Sequence, residues 1–197
     1  MNHLAHAWLA GPDPDAQLGG LLADFWRGAP DSAWRERVRA GVVLHRKIDV
    51  YTDGHAQVAA ARAQFAAPFR RFAGILLDVY FDHALARNWA EYADEPLAAI
   101  SQRALALLRA NASWLPSDLN RFADYFESAG LFARYAERTT IERVLAGIGR
   151  RLRHGNPLDA AGPILWERAD ELDETFARFV PDLRAFAAAQ RAALGLT

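Results

Sequence analysis

The chain has 197 residues, no cysteine and a formal net charge of -1 at pH 7. This length fits one domain with a full hydrophobic core, and the near-neutral charge argues against a nucleic-acid partner. Without cysteine, disulfides, thiolate chemistry and cysteine zinc sites are excluded, so a metal site would need His, Asp and Glu. No run of about 18 apolar residues indicates a membrane span. The first residues lack the basic and apolar segments of a signal peptide, which indicates a cytoplasmic protein without a membrane partner.

Apolar residues recur with helical periodicity along the chain, and no segment shows a convincing strand pattern. Asp15, Asp31 or Ser32, and Thr140 can cap helices, and Gly and Pro residues separate them. The predicted helices span residues 3–10, 16–27, about 32–50, 56–65, 69–92, 97–109, about 117–130, 141–153, 163–180 and 182–194, with Pro181 dividing the last two. We therefore predict an all-α fold, a single-domain helical bundle over residues 1–197 with short connections.

Residues 75–85 are apolar around nearly the whole helix, yet they include Asp78, Asp82 and His83. Asp78 and Asp82 are one helical turn apart, which places them on one face about 40° from each other. Two like charges about 4 Å apart repel by about 4 kcal/mol at an effective dielectric constant near 20. A buried helix therefore needs a cation, a proton or hydrogen-bond donors between the two carboxylates. We expect either basic partners or a metal at this face.

Other predicted helices in the first half of the chain also carry His and Asp residues. A lone core His is usually hydrogen-bonded, and an i, i+4 His–Asp pair usually lies on the surface, so no single pair is diagnostic. Their concentration leaves two interpretations open. One is an ion-pair network with basic neighbours, and the other is a nitrogen and oxygen metal centre suited to phosphoester hydrolysis. The acidic and imidazole groups are His3, His6, Asp24, His45, Asp49 and Asp53, and the basic neighbours are Arg27, Arg46, Lys47 and Arg87.

Several segments match a known family in order and with similar spacing. They are NHLAH at residues 2–6, GLLADFWRG at 20–28, GVVLHRKID at 41–49, TD at 52–53, LDVYFDHAL at 77–85 and DELDETFARFVP at 170–181. With these segments the chain resembles the bacterial acyl carrier protein phosphodiesterases, also called acyl carrier protein hydrolyases. The resemblance covers nearly the whole length, although residues 90–150 match only loosely.

The resemblance implies an enzyme that hydrolyses the phosphodiester between 4′-phosphopantetheine and a serine of holo acyl carrier protein. It also implies an HD-like helical fold and a divalent metal, Mn²⁺ first, with Mg²⁺ and Fe²⁺ as alternatives. The chain departs from the usual HD order, because its dyad reads Asp82-His83. We predict Asp24, His45, Asp82 and His83 as the metal ligands.

The remaining predicted site residues have supporting roles. Asp49 and Asp78 would ligate the metal or orient the imidazoles, and His6 would complete the site or transfer a proton. Arg46 or Lys47 would stabilise negative charge on the phosphoryl oxygens.

An acidic helical carrier protein would dock on a basic patch. The candidate patches are Arg35, Arg37 and Arg39; Arg70 and Arg71; and Arg150, Arg151 and Arg153. The alternative functions are a metal phosphoesterase for a small nucleotide-like phosphodiester and a helical carrier-protein-binding module without catalysis.

Overall fold

A computed structural model describes residues 1–152 and 154–196. These residues form α-helices and short 3₁₀ turns with no strand among them, which confirms the all-α prediction. The α-helices are α1 (His3–Leu9), α2 (Pro14–Leu22), α3 (Glu36–Gly54), α4 (Ala56–Ala63), α5 (Ala73–Arg87), α6 (Trp89–Tyr92), α7 (Leu97–Ala110), α8 (Ser117–Ala129), α9 (Arg138–Arg151), α10 (Gly162–Trp166) and α11 (Ala169–Ala193). The 3₁₀ turns are Ala23–Phe25, Arg70–Phe72, Phe132–Arg134 and Leu158–Ala160.

The prediction that Pro181 divides two helices is wrong, because α11 runs without interruption through this proline. A proline inside a helix removes one backbone hydrogen bond and usually kinks or breaks the helix. Here Phe179 and Val180 before the proline and Leu183 after it are all buried. Burial of apolar side chains on both sides holds the two halves in one helix.

The predicted helix over residues 69–92 is three elements, the 3₁₀ turn Arg70–Phe72, α5 and α6. The middle element, α5, forms the centre of the hydrophobic core. Tyr80, Phe81 and Leu85 are fully buried, as the apolar sequence of this segment predicts. No helix within residues 1–152 and 154–196 is long and apolar enough to cross a bilayer.

Two glycines let α2 and α3 approach each other closely. A Cβ atom added to Gly19 would overlap the carbonyl oxygen of Val38, and one added to Gly41 would overlap the carbonyl oxygen of Ala16. Only glycine lets the two backbones lie this near. The contact places the end of α2 and the 3₁₀ turn after it beside the middle of α3.

The start of α1 is fixed by Asp82, a fully buried carboxylate of α5. Its two oxygens accept hydrogen bonds from the backbone N–H groups of Asn2 at 3.3 Å, Leu4 at 2.8 Å and Ala5 at 3.2 Å. Asp78 accepts a bond of 2.7 Å from the ammonium group of Met1. The expectation of a cation or hydrogen-bond donors beside the two carboxylates is confirmed, whereas the narrower expectation of basic partners or a metal is wrong for Asp82, whose partners are backbone N–H groups.

We expect Gly41→Ala to lower the free energy of unfolding by about 1–3 kcal/mol, because the new methyl group would push α2 and α3 apart. Gly54→Ala is the matched control in the same helix, since no atom of the described residues lies within 4 Å of its added Cβ. That control should leave stability unchanged or raise it by about 0.5–1 kcal/mol. Urea denaturation followed by circular dichroism measures both, and equal stability of the two variants would contradict the close packing.

Candidate metal centre

Five side chains from three elements form a continuous row, which we call the His/Asp row: His3, Asp24, His45, Asp49 and His6. Asp24, in the 3₁₀ turn after α2, places Oδ2 3.2 Å from His3 Nδ1 and Oδ1 3.3 Å from His45 Nε2. Asp49 then places Oδ2 3.1 Å from His45 Nε2 and Oδ1 3.0 Å from His6 Nε2. Two carboxylates thus alternate with three imidazoles.

The proton on His45 is placed by the backbone. Its Nδ1 lies 2.8 Å from the carbonyl oxygen of Gly20, which can only accept a hydrogen bond, so Nδ1 carries a hydrogen. Its Nε2 faces the carboxylates of Asp24 and Asp49. A lone pair on Nε2 would repel these oxygens, so this atom must hold a proton or a metal. Metal-binding histidines typically donate their other ring N–H in this way.

His6 is buried, and its ring nitrogens lack hydrogen-bond partners within residues 1–152 and 154–196. Its ring stacks on that of His45 with centroids 3.6 Å apart and an angle of 17° between the planes. Neither of its ring nitrogens has a partner with hydrogen-bond geometry among the described residues. The short distance from Nε2 to Asp49 is therefore a contact without a well-formed hydrogen bond. An orphaned buried nitrogen of this kind calls for an additional ligand.

The donor atoms fit a divalent cation. One ligand atom each from His6, His45 and Asp49 lies within 4.8 Å of the other two, so these three residues could hold a metal ion. Asp24 contacts the same Nε2 atom of His45, but it does not lie within 4.8 Å of all three of these ligand atoms. Imidazole and carboxylate donors without thiolate suit Mn, Fe, Mg or Zn.

Burial and the charges of neighbouring side chains shift the pKa values of the residues in the row. Burial alone would lower the pKa of His45, but Asp24 and Asp49 outweigh it and raise this pKa to about 9. For His6, burial and the neighbouring His45 lower the pKa to about 4. Burial would raise the pKa of Asp24 and of Asp49, but the imidazoles beside them lower both below the usual range. One imidazole of the stacked pair is therefore charged and the other neutral near pH 7.

Two predicted ligands, Asp82 and His83, lie apart from the row. Asp82 holds the start of α1, and burial raises its pKa to about 6 although the N–H groups of Leu4 and Ala5 oppose this. His83 donates from Nδ1 to the carbonyl oxygen of Tyr135 at 2.8 Å and packs edge-on against Trp166. The structure thus brings together Asp24 and His45 of the predicted set and gives Asp82 and His83 other partners.

Some of the predicted supporting residues belong to the row, and others have partners elsewhere. His6 and Asp49 belong to the row, whereas Asp78 binds the ammonium group of Met1. Arg46 donates to the carbonyl oxygens of Gly28 at 2.6 Å and Trp26 at 3.1 Å, so it fixes the chain that follows Asp24. Lys47 lines a separate cavity of about 500 Å³ between α3 and α11.

His3 is the member of the row that the sequence interpretation left without a role. It packs against Phe122 with ring centroids 4.6 Å apart. The sequence could have indicated this position, because His3 lies three residues before His6 on α1 and residues i and i+3 share a helix face.

A groove of about 730 Å³ opens at Asp24 and His3 and runs between α8 and α9. A second cavity of about 330 Å³ reaches the same two residues from the side of Asp78. The residues that line both are Asn2, His3, Asp24, Phe25, Ile148 and Arg151. The row is therefore accessible to a ligand at its Asp24 end.

The comparisons with known proteins agree with the resemblance seen in the sequence. The family described as acyl carrier protein phosphodiesterase matches residues 1–183. A protein of that name from Serratia proteamaculans is 36% identical over 186 residues, covering 93% of this chain and 95% of the relative. Relatives with the same name from Salmonella agona and Salmonella dublin are each 38% identical over 192 residues, covering 95% of this chain and 98% of theirs. No solved structure matches the chain.

We expect the stability of the metal-free protein to decrease as the pH rises from about 6.5 to 9. Because the pKa of His45 is raised to about 9, the folded protein keeps a proton in this range that the unfolded chain has lost. The decrease attributable to this group should be on the order of 2 kcal/mol. Urea denaturation at several pH values in the presence of a chelator measures it. His45→Gln should flatten this limb, and an unchanged slope in that variant would rule out His45 as its cause.

Proposed function

The chain belongs to the acyl carrier protein phosphodiesterase family, and on that basis we propose that it hydrolyses the phosphodiester joining 4′-phosphopantetheine to a serine of an acyl carrier protein. Water adds to phosphorus, the bond to the serine oxygen breaks, and the products are 4′-phosphopantetheine and the apo carrier protein. The single observation that carries the proposal is the His/Asp row, which opens into the groove at Asp24. The row offers nitrogen and oxygen donors where a phosphodiester could enter.

We propose that His6, His45 and Asp49 hold a divalent metal, with Asp24 as a fourth ligand. Mn²⁺ is the ion proposed, with Mg²⁺ and Fe²⁺ as alternatives that suit the same donors. A metal held there would supply positive charge for the phosphoryl oxygens and would lower the pKa of water. The bond from His45 Nδ1 to the carbonyl oxygen of Gly20 would keep its Nε2 directed at the site.

The departing serine oxygen needs a proton, since an alkoxide is a poor leaving group. His3 lines both cavities and contacts Asp24, whereas His6 lies at the buried end of the row. In this proposal His3, whose Nδ1 lies 3.2 Å from Asp24 without hydrogen-bond geometry, gives the proton to the serine oxygen. The proton-transfer role moves from His6 to His3 because His3 is the imidazole that a substrate could reach.

Of the three predicted docking patches, the one on α9 is best placed. Arg35 and Arg37 are engaged by Asp15 and Asp13. Arg150 and Arg151 line the groove, and neither pairs with an acidic side chain within residues 1–152 and 154–196.

Of the other predicted patch residues, Arg71 donates to the carbonyl oxygen of Gly155 at 3.1 Å. Arg153 lies outside the described residues. We propose that Arg150 and Arg151 attract the acidic carrier protein.

With Mn²⁺ present, we expect holo acyl carrier protein to lose the mass of its 4′-phosphopantetheine arm, as measured by mass spectrometry. Asp49→Asn should slow this loss by at least about 100-fold, because it removes a metal ligand and its charge. Asp53→Asn is the matched control one turn further along α3, where the carboxylate pairs with Arg62 outside the row.

Elemental analysis of protein purified without chelator should show less metal in the Asp49→Asn variant only. Wild-type rates in that variant would contradict the proposed ligand set. Cleavage of a small nucleotide-like diester but not of the holo carrier protein would favour the alternative phosphoesterase. Carrier-protein binding without metal or product would favour the non-catalytic module.

The double substitution Arg150→Gln and Arg151→Gln should raise the KM for holo carrier protein roughly tenfold, because it removes two positive charges that would attract the acidic carrier protein to the groove. It should also reduce the dependence of KM on salt. Arg178→Gln, which removes an exposed arginine paired with Glu174 on α11, is the control. Kinetics at several salt concentrations provide the measurement, and an unchanged salt dependence in the double variant would exclude this docking surface.

A further inference from the structure

Gly147 lies inside α9, where a glycine is unfavourable. A glycine in a helix interior costs roughly 0.5–1 kcal/mol relative to alanine. The backbone at Gly147 does not have the positive φ that would require glycine. A Cβ added there would meet only the guanidinium of Arg150, at 3.7 Å, among the atoms of the described residues. Packing within the protein therefore does not account for this glycine.

A second glycine in the same helix shows the contrast. A Cβ added to Gly149 would lie 2.7 Å from the side-chain oxygen of Asn156 and 3.4 Å from Cβ of Leu158, so a side chain there would have to displace Asn156. Gly147 instead faces the 730 Å³ groove, of which it is a lining residue. Its lack of a side chain keeps space open in the groove rather than between helices.

The groove combines apolar and cationic walls. Phe122 and Tyr125 of α8 face Val144 and Ile148 of α9 across it. The cationic residues that line it are Arg27, Arg121, Arg143, Arg150 and Arg151. Among these, Arg121 pairs with Asp118, and the other four have no acidic partner within residues 1–152 and 154–196. The groove thus offers both apolar surface and uncompensated positive charge.

We propose that this groove binds the 4′-phosphopantetheine arm, with the phosphate at the Asp24 end, and that Gly147 keeps the groove open for it. This inference rests on the proposed function and identifies where its substrate lies. The arm is a narrow chain with a phosphate at one end, two amides and two geminal methyl groups along it, and a thiol at the other end. Such a ligand needs apolar contacts together with positive charge, and the groove volume lies within the usual range of about 300–1,000 Å³ for small-ligand sites.

The direct test is binding of free 4′-phosphopantetheine to the full chain purified without chelator, measured by isothermal titration calorimetry. Gly147→Leu would place a branched side chain in the groove and should raise the Kd by at least about tenfold, equivalent to 1.4 kcal/mol. Gly147→Ala is the size control, which should bind nearly as well as the wild type and melt at an equal or higher temperature. Pantetheine without the phosphate should bind more weakly than 4′-phosphopantetheine to the wild type.

A second variant covers the case in which Gly147→Leu does not fold. Tyr125, on the opposite wall, is 43% exposed, so Tyr125→Ala should leave the core intact. It should raise the Kd roughly fivefold through loss of apolar contact with the arm.

The experiments distinguish a failure of the groove assignment from a failure of the proposed function. If the wild type cleaves holo carrier protein and a folded Gly147→Leu or Tyr125→Ala variant binds 4′-phosphopantetheine with the wild-type Kd, the groove assignment is overturned and the function stands. If the wild type neither cleaves holo carrier protein nor binds 4′-phosphopantetheine, both are overturned. Weaker binding of 4′-phosphopantetheine in folded forms of both variants supports the groove as the site of the arm.

Discussion

The site depends on how a buried carboxylate of α5 holds the beginning of α1. Asp82 accepts hydrogen bonds from three backbone N–H groups at that end. The first N–H groups of a helix have no partner within it, and a carboxylate also favours the positive end of the helix dipole. This anchor sets the position of α1 and thereby the placement of His3 and His6. Asp82, which the sequence predicted as a ligand, thus positions the helix that carries two imidazoles of the His/Asp row.

The close approach of α2 and α3 is the second support. Gly19 and Gly41 let the two backbones meet, and this brings the carbonyl oxygen of Gly20 and the carboxylate of Asp24 to opposite nitrogens of the His45 ring. His45 belongs to α3, and both partners belong to α2 and the turn after it, so these contacts depend on the packing of the two helices. Rigid support of this kind would keep the donors of the proposed metal site within the tolerance that catalysis requires. The groove, in contrast, draws its walls from α8 and α9 in the second half of the chain.

Local patterns in the sequence predicted the helices, the all-α class, the family and the proximity of Asp24 to His45. They did not reveal which element covers a given helix face. Asp82 and His83 are adjacent, so their side chains point about 100° apart around α5 and meet different neighbours. One meets the start of α1 and the other the carbonyl oxygen of Tyr135. The break predicted at Pro181 failed for a related reason, since burial on both sides of the proline outweighs its local effect.

The order of the supporting residues along the chain also bears on synthesis. His6, His45 and Asp49 all leave the ribosome early, but the carboxylate that fixes α1 belongs to α5 and emerges later. A nascent chain that ends before α5 has the donors without the anchor that holds two of its histidines in place. An ion bound at the proposed site would therefore be captured only after translation has passed α5, so its binding would follow the docking of α1 on α5 and would not nucleate folding.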